Sequence, residues 1–500
     1  MPQPYDIIII GAGIVGAMIA RTLARYDVRI LWLEKASDIG VGATAANSAL
    51  IHAGHDAVPG SLKAEMNVKA NPLWDSLSEE LHFAFKRTGA YVVAIGPEEF
   101  AKLEQLLDRA RQNGVPATIL SGEAMRQREP QINPAVSGAL HIPTGGIVDP
   151  WGAAVAAAEN AVLNGVELRL NTEFLDFIWE GESKIQNPKS KIIGVHTSAG
   201  DFYARWVINA AGLFADEVMH KAGVRPEFKI TPRRGEYFVM DRNQLQLNNV
   251  LFPVPTAISK GILVTMTLHG NTLVGPNAEN VEDKTDVDVT PQGMAEVWAG
   301  GLKLVPGLKQ RDIIAVFAGL RPAGNAPCAN PAVDYAHDFI IEIPAEVAGF
   351  VNLGGMESPA LTAAPAIAGR VVELLRGAGE ELREKAAWNP LRPDRPVFRH
   401  LTRAEQAALV AQDPRYGRVI CRCETVTEGE IVAEIHAPIP ATTYDAIKRR
   451  TWLGTGRCLG GFDMPRVVEI LARELGKDPL EISKKGPGSE FLFRQTKETA

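Results

Sequence analysis

Residues 5–34 read YDIIIIGAGIVGAMIARTLARYDVRILWLE. After its acid, the run Asp6 to Ile10 is uniformly apolar, as a strand buried on both faces requires. Gly11, Gly13 and Gly16 follow at G-x-G-x-x-G spacing. Val15, Ile19 and Leu23 then recur every four residues, which predicts a helix lying on a sheet. Val28 to Leu33 reads as a second buried strand, and Glu34 stands at its end. The three glycines act differently. The first makes a tight turn, the second admits a pyrophosphate to the backbone, and the third lets helix pack on strand. The helix N-terminus offers free amides and a positive dipole end to the phosphates. Glu34, 18 residues after Gly16, is placed to accept hydrogen bonds from a ribose. Strand, glycines, helix, strand and acid in this order predict a dinucleotide site; the bland alternative is a strand-turn-helix with incidental glycines.

Five hundred residues exceed what one core fills, so two to four domains are expected. The net charge of −7 and the lack of a long basic block argue against nucleic acid as a partner. The longest apolar stretch is the fingerprint itself. It is interrupted by glycine, followed by Arg21, and too short to cross a bilayer. No positive region precedes it and no small-residue cleavage site fits a signal peptide. The expectation is a cytoplasmic protein without a transmembrane segment, any membrane association being peripheral and made through a partner. Four cysteines make no disulfide framework. Three of them fall within 38 residues near the C-terminus, and that clustering singles them out.

Residues 40–67 read GVGATAANSALIHAGHDAVPGSLKAEMN. Gly40, Gly42, Ala43 and Ala45 are small enough for a cofactor to approach closely. The stretch resembles the flavin-proximal segment of the glycerol-3-phosphate dehydrogenase and L-2-hydroxyglutarate oxidase group, within the D-amino-acid-oxidase-like FAD superfamily. The resemblance implies FAD, with Lys35, Ala43, Thr44 and Asn47 along it and Ser48 and His52 beside its isoalloxazine ring. Without the resemblance, His52 reads as a satisfied histidine at a strand end.

Phe100, Leu103, Leu106, Leu107 and Ala110 make an amphipathic stripe, so that segment is a packing helix. Residues 192–198 and 202–212 read as two strands entering a small-residue turn. Ala211 and Gly212 there fit the second cofactor-facing turn of such FAD domains. Between 228 and 320, strand-like pieces (GEYFVMD, NVLFPVP, ILVTMTL, TLVGPN) alternate with turn residues, the pattern of an inserted antiparallel sheet. The resemblance makes that sheet the roof of the substrate pocket. It also makes Arg321, in AGLRPAG, the anchor for a substrate anion, since a guanidinium binds phosphate or carboxylate bidentately. The plainer reading is a surface ion pair. Lys260 is a second candidate anion contact; Arg233 and Arg234 fit a solvated loop equally well.

Near residue 350 a strand meets Gly354 and Gly355, and a helix is expected to start near Thr362, with Pro365 tolerated in its first turn. Ala360, Leu361 and Thr362 would present that N-terminus to the flavin pyrimidine ring, favouring negative charge there. The family usually has glycine where this chain has Ala360. The FAD-binding domain is therefore discontinuous, over 1–85, 145–227 and 321–378. Residues 86–144 and 228–320 form the substrate domain. Residues 379–415, rich in charge and proline, read as a linker.

Past the linker come Cys421-x-Cys423 and then Cys458. This resembles the bacterioferritin-associated-ferredoxin-like [2Fe-2S] module (416–480, followed by a tail, 481–500), which ends its pattern in C-x4-C. Here the last position is Asp463. Iron–sulfur clusters normally take four thiolates, but a carboxylate is anionic and binds ferric iron, so Cys421, Cys423, Cys458 and Asp463 form a viable ligand set. A module that has lost its cluster, or zinc on the same four residues, remain open. Cys328 reads as a buried core thiol. Lys448, Arg449, Arg450 and Arg457 either balance cluster charge, face an acidic partner, or form a solvated helix face. Glu428 to Ile435, Thr443 to Thr451 and Met464 to Leu475 read as short helices.

The expected fold class is α/β: a Rossmann-like FAD-binding domain, an inserted mixed or antiparallel substrate sheet, and a small, mainly helical C-terminal iron–sulfur module. With no second fingerprint for a nicotinamide, electrons would enter from a small anionic hydroxy compound, glycerol 3-phosphate first. They would leave through the cluster to a partner subunit or carrier. His52 would take the hydroxyl proton. A D-amino acid, opine or 2-hydroxy acid is the alternative substrate class. An electron-transfer subunit with a dead pocket is the alternative role.

Overall fold

A computed structural model describes residues 4–181, 190–242, 244–255, 261–328 and 337–494. Its first sheet is built on a parallel core. The strands Glu167–Arg169, Ile30–Leu33, Tyr5–Ile10, Gly200–Asn209 and Phe350–Gly354 lie side by side in that order, all parallel. Ile340–Glu342 adds an antiparallel edge, and the hairpin strands Phe174–Trp179 and Ser190–Thr197 extend from the other flank of Gly200–Asn209. Three distant parts of the chain thus supply one sheet; its strands Ile30–Leu33 and Phe350–Gly354 are buried along their whole length, as a parallel core covered on both faces requires. The helices Ile14–Leu23, Pro150–Leu163 and Ala360–Gly377 pack with one face of that sheet into one apolar core around Ile7, Trp32, Trp74 and Val371.

The second sheet runs Glu279–Asn280, Ile230–Met240, Thr272–Gly275, Leu263–Met266, Val250–Pro253, Ala90–Ile95, Val136–Ile142, Thr118–Ser121, with Ile313–Gly324 along Ile230–Met240. All pairs are antiparallel except Val250–Pro253 with Ala90–Ile95. Alternation decides its faces. Ala90, Val92 and Ala94 pack with Leu103, Leu106 and Ala110 of the helix Pro97–Gln112, while Tyr91 and Val93 share the other core with Val297 and Leu304. Period-two side chains therefore give each face its own helix.

Several sequence expectations are displaced. The strand Ile313–Gly324 runs through residue 321, so Arg321 sits in the substrate sheet, register-paired with Arg233. Arg233 and Arg234 are not on a loop but on the strand Ile230–Met240. The late helix begins at Ala360, not Thr362. Cys328 is half-buried on the segment after its strand. The stretch 379–415 carries the capped helix Arg403–Gln412 and is tied down by Arg392 and Arg395, which both pair with the fully buried Glu159. The C-terminal module has its own core, in which the helices Glu428–Ile435, Tyr444–Thr451 and Met464–Leu475 enclose Ile431, Ile447, Leu453 and Leu471. No described helix is long and apolar enough to cross a membrane.

Candidate functional site

One large cleft of about 1440 Å³ opens where the two sheets meet. Its floor is the glycine turn. Gly11 has φ +101°, and a Cβ there would lie 2.5 Å from the Ala210 carbonyl oxygen. A Cβ on Gly16 would lie 2.1 Å from the Gly11 carbonyl, so Gly16 works beneath the floor and does not line the cleft. Trp32 Nε1 donates to the same carbonyl at 2.9 Å. Thr44 Oγ1 accepts from Ile14 N–H at 3.0 Å, and so joins the 42–48 loop to the start of the glycine helix, beside Gly13. Glu34 accepts from Ala12 N–H at 2.7 Å and Ala36 N–H at 2.9 Å; burial pushes its carboxyl above the usual range despite both bonds. Lys35 packs its Nζ 3.4 Å from the Phe214 ring centroid at the cleft wall. Ala43, Asn47, Ala211, Gly212, Ala360 and Leu361 line the cleft as expected of a cofactor wall.

The cradle fits a dinucleotide. Side chains are absent where a Cβ would clash with backbone, and the helices Ile14–Leu23 and Ala360–Gly377 both begin at the cleft without a side-chain cap. Ile14 N–H is taken by Thr44 and Ala360 N–H by the Glu357 carbonyl, which leaves the next amides of each first turn for a ligand.

The opposite wall carries the reactive groups. Arg321 is fixed by three backbone carbonyls: Nε donates to Arg233 (3.2 Å), and Nη2 donates to Arg234 (3.0 Å) and Asn277 (2.7 Å). Among the described residues none engages its Nη1, and Arg321 lines the cleft. This is a locked guanidinium with one edge left for an anion. Arg233 also lines the cleft and donates from Nε to Asn280 at 3.1 Å. Arg234 instead is buried in ion pairs with Glu279 (2.6 Å) and Asp286 (2.9 Å). Lys260 lies outside the described residues.

His52 lines the cleft with its ring centroid 5.9 Å from that of Phe252 and its Nε2 3.4 Å from Ser358 Oγ. Its backbone is held by the Thr362 hydroxyl, which accepts from His52 N–H at 2.8 Å and donates to Leu50. Thr362 is thus behind the wall, a support for the histidine strand rather than a cofactor contact. Gly355, φ +67°, is likewise packed against Asp338 and Gly324.

Three groups escaped sequence reading. Tyr237 stacks on Phe317 (4.6 Å, 8°) and its hydroxyl meets Ser48 Oγ at 3.0 Å, joining the two domains across the cleft. Lys63 and Glu357 form a 2.8 Å ion pair in the cleft wall. Burial opposes ionisation of Glu357, but Lys63, Arg233 and Arg321 together hold its carboxyl below the usual range. Tyr237 had the alternation of its strand as a signal; the Lys63–Glu357 pair spans 294 residues and had none.

The C-terminal module brings its candidate ligands into two pairs. Cys423 Sγ lies 3.9 Å from Cys458 Sγ. Cys421 sits against Asp463: burial chiefly pushes its thiol up to about 11, the Asp463 carboxylate adds to this, and amides of Gly454 and Glu424 oppose it. Asp463 is 1% exposed; its Oδ1 accepts from Tyr444 OH at 2.7 Å, while its Oδ2 is buried with no hydrogen-bond partner. A buried carboxylate oxygen with no other partner, beside a buried thiol, is a donor set that fits a metal. Among the described residues no three His, Cys, Asp or Glu side chains close around one ion, which is the arrangement zinc needs. Two pairs fit a two-iron centre, each iron taking two protein ligands, with the amides placed to tune the sulfurs.

The module is clamped to the body. Asp38 accepts from Arg449 Nη2 at 2.6 Å and from Arg450 Nη2 at 2.9 Å. Arg449 and Arg450 are therefore neither solvated nor facing a partner. Trp452 stacks on Trp151 (4.5 Å, 28°) and its Nε1 donates to the buried Asp149 at 2.9 Å. Trp151 Nε1 in turn donates to Ala45 in the cofactor loop at 2.9 Å. Glu424 binds Arg242 and Arg399 across the same seam.

The family model described as FAD dependent oxidoreductase (DAO) matches residues 6–374. The model described as BFD-like [2Fe-2S] binding domain matches residues 419–473. A glycerol 3-phosphate dehydrogenase of Caloramator mitchellensis is 41% identical over 99% of both chains. A glycerol 3-phosphate oxidase of Mycoplasma genitalium is 32% identical over 78% of this chain and 98% of its own. The solved structure of dithionite-reduced L-alpha-glycerophosphate oxidase from Mycoplasma pneumoniae, with FAD bound, superposes with TM-score 0.71 at 32% identity, covering 79% of this chain and all of that one.

Proposed function

Because the chain belongs to the DAO family of FAD dependent oxidoreductases, and carries a BFD-like [2Fe-2S] domain, we propose that it is a dehydrogenase of glycerol 3-phosphate which hands electrons to the C-terminal centre and on to an acceptor. The observation that carries the reading is Arg321: a guanidinium that lines the cleft and is held rigid by three carbonyls. Bound FAD supplies the hydride acceptor, and the cluster supplies one-electron steps. The residues of the chain do the rest. Arg321 Nη1 holds the phosphate, with Arg233 and Lys260 as further cations. The His52 ring, positioned through Thr362, takes the proton from the hydroxyl as the carbon is oxidised. Tyr237 and Ser48 close the domain seam and exclude water. The uncapped start of the helix Ala360–Gly377 stabilises negative charge on the reduced ring. Asp463 Oδ2, with the three cysteines, holds the cluster.

The test is an anaerobic titration followed at the flavin absorption band, with iron and sulfide assayed on the same sample. Glycerol 3-phosphate should bleach the band at micromolar to millimolar concentration, while D-amino acids and 2-hydroxy acids should not. Bleaching by a 2-hydroxy acid alone would move the assignment to the carboxylate class.

A further inference from the structure

The clamp leaves one side of the module's centre bare. Cys421 and Asp463 are buried, but Cys423 is exposed and Cys458 half-exposed. Around this open edge stand two of the most exposed apolar side chains described: Phe462 at 86% and Leu459 at 53%. Leu459 is held at φ +48°, a conformation that costs a branched residue energy and that glycine would adopt freely. Leu459 follows Cys458 directly and Phe462 stands four residues after it. Three guanidinia stand near the two exposed ligands in sequence: Arg422 before Cys423, exposed and without an ion pair among the described residues, Arg457 before Cys458, at 66% side-chain exposure, and Arg466 on the following helix, at 69%. Asp241 and Glu469 offset one charge each, which leaves one net positive charge here on a chain of net charge −7.

We propose that this edge, Leu459 and Phe462 together with the exposed Arg422, Arg457 and Arg466, is the docking surface for an acidic one-electron carrier protein. The proposal rests on the electron flow assigned above and adds its exit. An apolar centre with a charged rim is how interfaces are built. Complementary charge serves encounter rate more than affinity. An anionic membrane is the poorer occupant. Lipid recognition takes clusters of four to eight basic residues, and this edge has three.

The experiment uses the full FAD- and cluster-loaded chain, reduced either by glycerol 3-phosphate or by dithionite, and mixed with oxidised cytochrome b5, an acidic haem protein. Basic cytochrome c is the charge-inverted control. The wild type should reduce cytochrome b5 at a rate that falls with salt. Phe462→Ser, Arg466→Glu and Leu459→Gly should each raise its half-saturating concentration, for Phe462→Ser by roughly tenfold. Flavin bleaching, iron content and the reduced cluster's electron paramagnetic resonance signal should be unchanged. Leu459→Gly relieves the strained turn, so it should lose docking without losing thermal stability. Unchanged half-saturation in all three variants overturns the proposal. So does a preference for cytochrome c, Phe462-dependent binding to phosphatidylserine vesicles, or a wild-type dimer that Phe462→Ser dissociates. If glycerol 3-phosphate fails to bleach the flavin but the dithionite-reduced protein still discriminates, the substrate assignment falls and the docking surface stands.

Discussion

Replacing Asp38 with asparagine tests whether the C-terminal module is welded to the flavoprotein or merely tethered. Asp38 is 1% exposed and receives Nε and Nη2 of Arg449 and both Nη atoms of Arg450, at 2.6–3.1 Å. The Arg450 side chain is itself 1% exposed. Breaking a buried pair by removing one partner costs ~3–5 kcal/mol, because the surviving charge has no water. Here the remaining carboxylate in ion-pair range among the described residues is Glu434, 3.8 Å from Arg450 and already paired with Arg395, and Arg449 is left with none, so the upper half of that range is expected. Against a typical domain stability of ~5–15 kcal/mol, the module should detach at much lower urea. The Trp151–Trp452 stack, which crosses the seam, supplies the fluorescence readout, and protease cutting within 379–415 supplies a second. The pH dependence follows in sign. Although burial opposes it, Arg450 and Arg449 hold the Asp38 carboxyl below its ordinary value. The unfolded chain therefore binds the proton more readily, and the contribution is full above pH ~4 and lost as pH falls through the folded-state value. Asp38→Asn should remove that acid limb. A loss below ~1 kcal/mol, or an unchanged acid limb, would refute the weld. The apolar triple Asp38→Leu, Arg449→Met, Arg450→Met should recover most of the loss, since hydrophobic replacements of buried ion pairs are often neutral.

Gly16→Ala drives a methyl to within 2.1 Å of the Gly11 carbonyl; overpacking of ~1–3 kcal/mol should weaken FAD binding to the apoprotein, read by flavin fluorescence, and unchanged affinity would mean the floor is softer than its geometry. Arg321→Met removes the anion edge. At ~2–5 kcal/mol for a buried charged contact, kcat/KM for glycerol 3-phosphate should fall by roughly 30-fold or more, mostly through KM, and a fall under threefold would place the phosphate elsewhere. Asp463→Ala should lose most of the iron while Asp463→Cys keeps it with an altered visible spectrum; full iron in Asp463→Ala would remove Asp463 from the ligand set.

The parallel core was legible because Ile7 to Ile10, Ile30–Leu33 and Phe350–Gly354 are buried throughout, and the glycine spacing fixed where the turn must lie. Arg321 was legible as a residue but not as a member of a strand, since AGLRPAG carries a proline and two glycines that read as a turn. Its partner strand supplies the missing constraint: every residue from Ile230 to Val239 is register-paired across it. The run Lys448, Arg449, Arg450 reads as a solvated face because buried arginines are indistinguishable locally from exposed ones. Only Asp38, 411 positions from Arg449, makes them interior. Thr362 reads as a cofactor contact because its helix points there, but a hydroxyl that satisfies two backbone groups is already fully employed.

The same pairing has a consequence for how the protein is made. Asp38 emerges from the ribosome 412 residues before Arg450. At ~5–20 residues per second it waits about 20–80 s for its counter-charge. During that time the sheet also lacks the strand Phe350–Gly354. The nascent chain therefore carries an acid destined for the interior, beside a half-built nucleotide fold, until almost its last residues are translated. Dependence on a holding chaperone, and clearance of any product terminated before residue 449, follow from that delay.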